Sequence, residues 1–149
     1  SYNGRVESGP APINVQVADV AGGSYHAVMA VLAAVVHREK TGEGQSIDIS
    51  MTDAAFSMHA LTAPPALVGG IEPALEATQL NGGSFYDCYE TKDGRYFSVA
   101  GIEPQFFAQF CQAVGHPEWA GKGLALTPEI QRGLKRDIAE VMRTRTFEE

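Results

Sequence analysis

Cysteine is scarce in this sequence. Cys88 and Cys111 are the only two in 149 residues. They share no CxxC spacing, so the chain offers neither a zinc knuckle nor a disulfide framework, and a reducing, cytoplasmic setting is the expectation. Positive charge is short as well: eleven Lys and Arg against eighteen Asp and Glu give a net charge of −7. Nucleic acid selects clustered cations, so it is not an expected partner. A small anionic ligand stays possible, since it needs only a local patch or a helix end. Long hydrophobic runs look absent too. The most apolar stretch, residues 27–36, gives way to His37-Arg38-Glu39-Lys40, and no membrane span is expected. No His, Cys, Asp or Glu set has ligand spacing, so no metal is expected. The glycine pairs lack the ordered strand, third glycine and helix of a nucleotide fingerprint. No signal peptide, repeat or low-complexity tract is visible. The sequence begins without Met and stops directly after a helical pattern, which reads as a piece of a longer protein.

What is present is a globular composition, 44% hydrophobic and 19% charged. Residues 1–12 carry Gly4, Gly9, Pro10 and Pro12 and read as an irregular approach. Residues 13–17 alternate apolar and polar, as a short extended piece does. From Ser24 to about Lys40, Val28, Leu32, Val35 and Val36 recur at helical spacing among alanines. That predicts a helix buried on most sides and closed by Gly42. Residues 45–50 alternate strictly, as in a half-buried strand. Ser50 and Asp53 form a capping pattern for a helix running to about Leu61 and yielding at Pro64-Pro65. Residues 68–80 have no period and mark a boundary. After Asn81-Gly82-Gly83, residues 85–90 and 95–100 form aromatic and β-branched runs joined by Lys92-Asp93-Gly94, a hairpin signal. Glu103-Pro104 and Thr127-Pro128-Glu129 each open a helix. The first carries a core stripe of Phe106, Phe107, Phe110 and Val114; the second carries Leu134, Ile138, Val141 and Met142.

Two carboxylates stand at expected helix entrances beside small or turn residues, Asp19 and Glu103. Each would meet the positive end of a helix dipole, and each could act as a proton acceptor, a nucleophile or a plain cap. Spacing does not choose among these. In Val17-Ala18-Asp19-Val20-Ala21-Gly22-Gly23-Ser24 the glycines would leave space beside Asp19. His26, on the same helix, reads as a packed, hydrogen-bonded histidine rather than a base. Tyr86, Tyr89 and Tyr96 read as hairpin packing.

The order of these motifs resembles a known family. Asp19-Val20-Ala21-Gly22-Gly23, the Ala-rich helix, residues 38–45 and Ile47-Asp48-Ile49-Ser50-Met51 are similar to the family III CoA-transferase superfamily. Asn81-Gly82-Gly83, residues 85–90, Asp93-Gly94-Arg95-Tyr96, Ile102-Glu103-Pro104-Gln105-Phe106 and Arg143-Thr144-Arg145-Thr146 resemble its α-methylacyl-CoA racemase branch. The resemblance implies an α/β fold: a fragment of a two-domain architecture. Residues 1–50 would end the first part of a Rossmann-like large domain. Residues 51–84 would be a linker including a helix, and residues 85–149 a truncated small α/β domain with its β-hairpin. It also implies an interlocked homodimer in the full-length protein, with an acyl-CoA substrate and no cofactor beyond the CoA that the substrate carries. In such racemases the residue matching Asp19 is one of two bases flanking the α-carbon. The other is a His in an upstream Gly-His-Asp motif, which this chain lacks, supported by a Glu matching Glu103. Gly22, Gly23 and Tyr86 are the expected substrate-binding residues. Ala21 stands where a third glycine is common. CoA transfer, in which the matching Asp is a nucleophile, is the alternative, and the isolated chain is expected to be catalytically inert.

Overall fold

A computed structural model describes residues 3–149; Ser1 and Tyr2, the start of the expected approach segment, lie outside the described residues. The fold is mixed α/β and forms two compact units. One is Ile13–Glu72; the other combines Ser1–Pro12 with Pro73–Glu149.

The unit Ile13–Glu72 is helical. Its first helix begins at Val17, not Ser24, so the expected extended piece is cut short. Val17–Tyr25 is wound as a π-helix and runs unbroken into α1 (His26–Thr41). The Ser24 hydroxyl donates to the Asp19 carbonyl (3.1 Å), and the His26 ring lies 2.7 Å from the Ala21 carbonyl, both reaching back five residues. Gly42, at φ +78°, ends α1 with its N–H on the Arg38 carbonyl. In α2 (Met51–Ser57) the Ser50 hydroxyl caps the Asp53 N–H at 3.2 Å. This helix stops at Ser57, short of Leu61. Pro64 and Pro65 open α3 (Ala63–Leu67) instead of closing α2, because a first helical turn does not need their missing N–H groups.

Two expectations for this unit fail for want of neighbours. Residues 45–50 form no strand, since an alternating strand needs a ladder partner and none lies beside it among the described residues. No residue of α1 is buried among the described residues. Leu32 is 60% exposed, and Val28, Met29, Val31, Val35 and Val36 are exposed with it. Together the π-helical turns and α1 make a helix, Val17–Thr41, that is long and apolar enough by length and composition to cross a membrane. The sequence reading missed this because the helix starts seven residues earlier than expected, and the charged His37–Lys40 stretch falls at its far end.

The second unit holds the core. Strands β1 (Gly4–Arg5) and β2 (Gly9–Pro10) make a minimal antiparallel hairpin in the segment expected to be irregular. Strands β3 (Asp87–Glu90) and β4 (Tyr96–Val99) pair antiparallel with Asp87 opposite Val99 and Glu90 opposite Tyr96. Gly94, at φ +74°, makes the turn between them, and the Thr91 hydroxyl closes it on Asp93 (2.6 Å) and the Arg95 carbonyl (2.9 Å). Helix α4 (Pro104–Val114), a 3₁₀ turn (Pro117–Lys122) and α5 (Pro128–Met142) pack on the hairpin. Phe85, Phe107, Cys111, Leu134 and Ile138 are fully enclosed. Each such large apolar side chain contributes about 1.5–3 kcal/mol by leaving water. The stripe on α4 runs 107, 111, 114, with Phe110 partly buried. Phe106, expected in the core, is 51% exposed because it lies one position off that face. Tyr89 packs as expected, and its hydroxyl donates to the Phe85 carbonyl at 2.6 Å; Tyr96 instead is 63% exposed.

One polar residue sits on the apolar face of α5. Gln131, 4% exposed, accepts from the Phe85 N–H (3.0 Å) and donates to the carbonyls of Lys122, Gly123 and Ala125 (3.1, 3.1 and 2.8 Å). Removing the amide strands several buried groups at once. Gln131→Leu is therefore expected to lower the unfolding free energy by about 3 kcal/mol, read from urea denaturation. A loss under about 0.5 kcal/mol would show that the loop finds other partners.

Candidate functional site

Asp19 is the third residue of its helix, in the first turn, where unpaired N–H groups and the positive dipole end lie. Its side chain is exposed and makes no hydrogen bond or ion pair among the described residues, so it does not serve as a cap. The glycines nearby have a packing use. A Cβ on Gly22 would meet the Met51 carbonyl oxygen at 3.2 Å, and one on Gly23 the Met51 sulfur at 3.0 Å. They let α2 approach the helix that carries Asp19, where the sequence reading had them opening space beside the acid. Gly22 is buried and Gly23 half-buried against α2. His26 is half-buried with its ring on the Ala21 carbonyl, as a packed histidine.

Glu103 belongs to the other unit. Its backbone is extended (φ −68°, ψ 136°) and precedes Pro104 at the start of α4. Its carbonyl accepts from the Phe106 and Phe107 N–H groups, both at 3.0 Å. Its carboxylate is exposed, makes no capping bond, and is without a side-chain partner among the described residues. Both candidate acids thus stand uncommitted at helix starts. Tyr86 is half-buried just ahead of β3, its N–H on the Ser84 hydroxyl (3.1 Å). It lines a cavity of about 390 Å³ together with Arg5, Asn81, Asp87 and Cys88. The structure brings Asp19, Gly22 and Gly23 onto one helix and sets Tyr86 and Glu103 in the unit that holds the hairpin.

That unit also contains a charged cluster that sequence reasoning did not find. The Arg5 guanidinium grips both carboxylate oxygens of Asp87, one of them at 3.0 Å, and reaches Glu76 at 3.4 Å. The Lys135 ammonium sits 2.9 Å from the same Asp87 carboxylate and donates to the Gly82 carbonyl at 2.5 Å. Gly82, at φ +100°, has no side chain, and a Cβ there would collide with the Arg5 guanidinium. Burial pushes the Asp87 carboxyl up. Hydrogen bonds from Arg5, Lys135 and the Cys88 N–H outweigh it and hold the group below the ordinary carboxylate range. A cavity of about 740 Å³, lined by Val6, Glu76, Gly83, Leu126, Gln131 and Lys135, adjoins this cluster.

Comparison with known proteins places these features in context. A sequence model of CoA-transferase family III matches residues 1–149. The chain is 32% identical over 114 residues to the alpha-methylacyl-CoA racemase of Homo sapiens, covering 75% of this chain and 30% of the relative. It is 27% identical over 147 residues to the succinate–glutarate CoA-transferase of Agrobacterium fabrum, covering 99% of this chain and 36% of that protein. Among solved structures it is similar to a point mutant of Rv3272 from Mycobacterium tuberculosis. The TM-score is 0.67 and the identity 22%, over 95% of this chain and 36% of that one, a likeness of fold. The chain spans about a third of the length of these curated relatives.

The charged cluster has a pH signature of its own. Because the folded Asp87 is held below its unfolded value of about 3.9, its contribution is present above that pH and is lost as pH falls through the folded value. Asp87→Asn is expected to cost about 2 kcal/mol at pH 7, between the exposed and buried ion-pair limits. In parallel urea titrations the gap between variant and parent should narrow progressively as pH falls below the unfolded carboxylate value and close in strong acid. A gap that persists into strong acid would mean that shape, not charge, is what Asp87 supplies.

Proposed function

The chain belongs to CoA-transferase family III, and from that premise we propose that its protein epimerises 2-methylacyl-CoA thioesters by two-base proton transfer. The observation that carries the reading is the uncommitted Asp19 carboxylate in the first turn of its helix. In the proposed step this carboxylate takes the α-proton, an O–H bond forming as the C–H bond breaks. The electron pair passes to the thioester carbonyl as an enolate. A protonated group on the opposite face then returns a proton to the α-carbon. A thioester α-proton is far less acidic than a carboxylic acid, so the enolate needs stabilisation as it forms, and the helix dipole contributes in that direction. Glu103 acts through another group, as the orienter of a histidine outside this chain. Gly22, Gly23 and Tyr86 contribute to substrate binding. CoA enters as part of the substrate, no separate cofactor is required, and the working form is an interlocked cytoplasmic homodimer. The racemase relative and the free Glu103 carboxylate support this reading over others.

The second reading is transfer of CoA between carboxylic acids. It is favoured by the transferase relative, which matches nearly the whole chain. There the Asp19 carboxylate would attack the acyl-CoA carbonyl and expel the CoA thiolate, giving a mixed anhydride; the thiolate would then attack the aspartyl carbonyl and expel the donor carboxylate, leaving an aspartyl-CoA thioester.

The test uses the full-length protein with a 2-methylacyl-CoA in deuterated water. Exchange of the α-proton is expected, and Asp19→Asn should slow it at least about 100-fold, the usual scale for a general base. Glu103→Gln should slow it less and shift its pH profile. No exchange, or exchange indifferent to Asp19→Asn, overturns the proposal. The 149-residue chain alone is expected to show no turnover.

A further inference from the structure

We propose that residues 3–12 are a releasable strap, latched by Arg5 onto Asp87, that forms one wall of the cavity lined by Tyr86 and Cys88. No residue of the strap is buried, and Val6 is 67% exposed, so apolar packing does not hold it down. Polar links tie it to residues 73–149. Arg5 pairs with Asp87 and Glu76, and the Val6 N–H donates to the Glu76 carboxylate at 3.0 Å. The strap is closed on itself by the Ala11 N–H on the Asn3 carbonyl and the Asn3 amide on the Ala11 carbonyl, both at 2.8 Å. It can therefore leave as a unit.

The receiving end is built independently of the strap. Asp87 keeps two holds that do not belong to the strap: Lys135 lies 2.9 Å from Oδ2, the oxygen it shares with Arg5, and Oδ1 accepts from the Cys88 N–H at 2.8 Å. Gly82 leaves the gap that the guanidinium fills. Asn3 and Ser8 of the strap line the same cavity as Asn81, Tyr86, Cys88 and Ser98. An ionic latch over a preformed socket opens locally, without loss of the core.

Cys88 is exposed on the cavity wall, while Cys111 is fully buried, so the chain carries its own probe and reference. The experiment labels the full-length protein with 4,4′-dithiodipyridine, an uncharged bulky disulfide, and follows the Cys88 and Cys111 peptides by mass spectrometry. Arg5→Met is expected to raise the Cys88 rate about fivefold and leave Cys111 protected. Arg5→Lys, which keeps the charge but not the fork, should fall between. In the unaltered protein, raising the salt from about 0.05 to 1 M should speed Cys88 labelling, because the Arg5 side of the pair is 44% exposed and open to screening. An unchanged Cys88 rate in Arg5→Met overturns the proposal. If that variant loosens enough to label Cys111, the salt series decides, and a flat Cys88 rate there overturns it equally. The readout is thiol access, so it fails or succeeds independently of any racemase activity.

Discussion

A single buried amide organises the unit that carries the hairpin. Gln131 projects from α5 into a place where an apolar residue would leave the Phe85 N–H and the carbonyls around residues 122–125 without partners. Buried backbone groups of this kind are costly when unpaired, so the amide fixes the loop, the helix and the start of the hairpin together. Gly123 sits in that loop against the Phe107 ring, where a Cβ would clash, which ties α4 into the same arrangement. Phe85, held by the amide, is followed directly by Tyr86 and Asp87. The position of the cavity and of the ion cluster follows from there.

The other unit is organised by the absence of side chains. Gly22 and Gly23 bring α2 within van der Waals contact of the π-helical turns, and this close approach fixes the segment in which Asp19 stands. Wide π turns recur at functional sites, and here they begin the helix that presents the candidate acid. In the continuation, α1, residues 27–36 are apolar on every side, yet none of them is buried among the described residues. Such a helix is at home in the interior of a larger fold, and this chain spans only about a third of its curated relatives.

Much of the hairpin unit was legible in the sequence because its signals are local. Lys92-Asp93-Gly94 gave the turn, and Pro104 and Pro128 the helix starts. Misreadings arose where structure depends on distant partners. Residues 45–50 alternate like a strand but have nothing to pair with, and the burial expected of α1 needs surfaces outside the unit. Gly22-Gly23 read as a turn because glycine usually breaks helices, whereas tertiary packing held it inside one. Gln131 had a visible signal, its place on the 131, 134, 138, 142 stripe of α5, that went unused. The Arg5–Asp87 pair had none, since the two residues are far apart in sequence and meet only through the fold. Asp19 and Glu103 were singled out as acids at helix starts, and both stand at helix starts. The capping role left open for them is not what their side chains do.

The central claim is that Asp19 moves a proton and never bonds to the acyl group or to CoA. Peptide-mapping mass spectrometry of the full-length protein, quenched during turnover with an acyl-CoA and a carboxylic acid acceptor, tests it most directly. The account predicts an unmodified peptide containing Asp19 at every time point. A CoA thioester on the Asp19 carboxylate would contradict it and establish the transferase reading in its place.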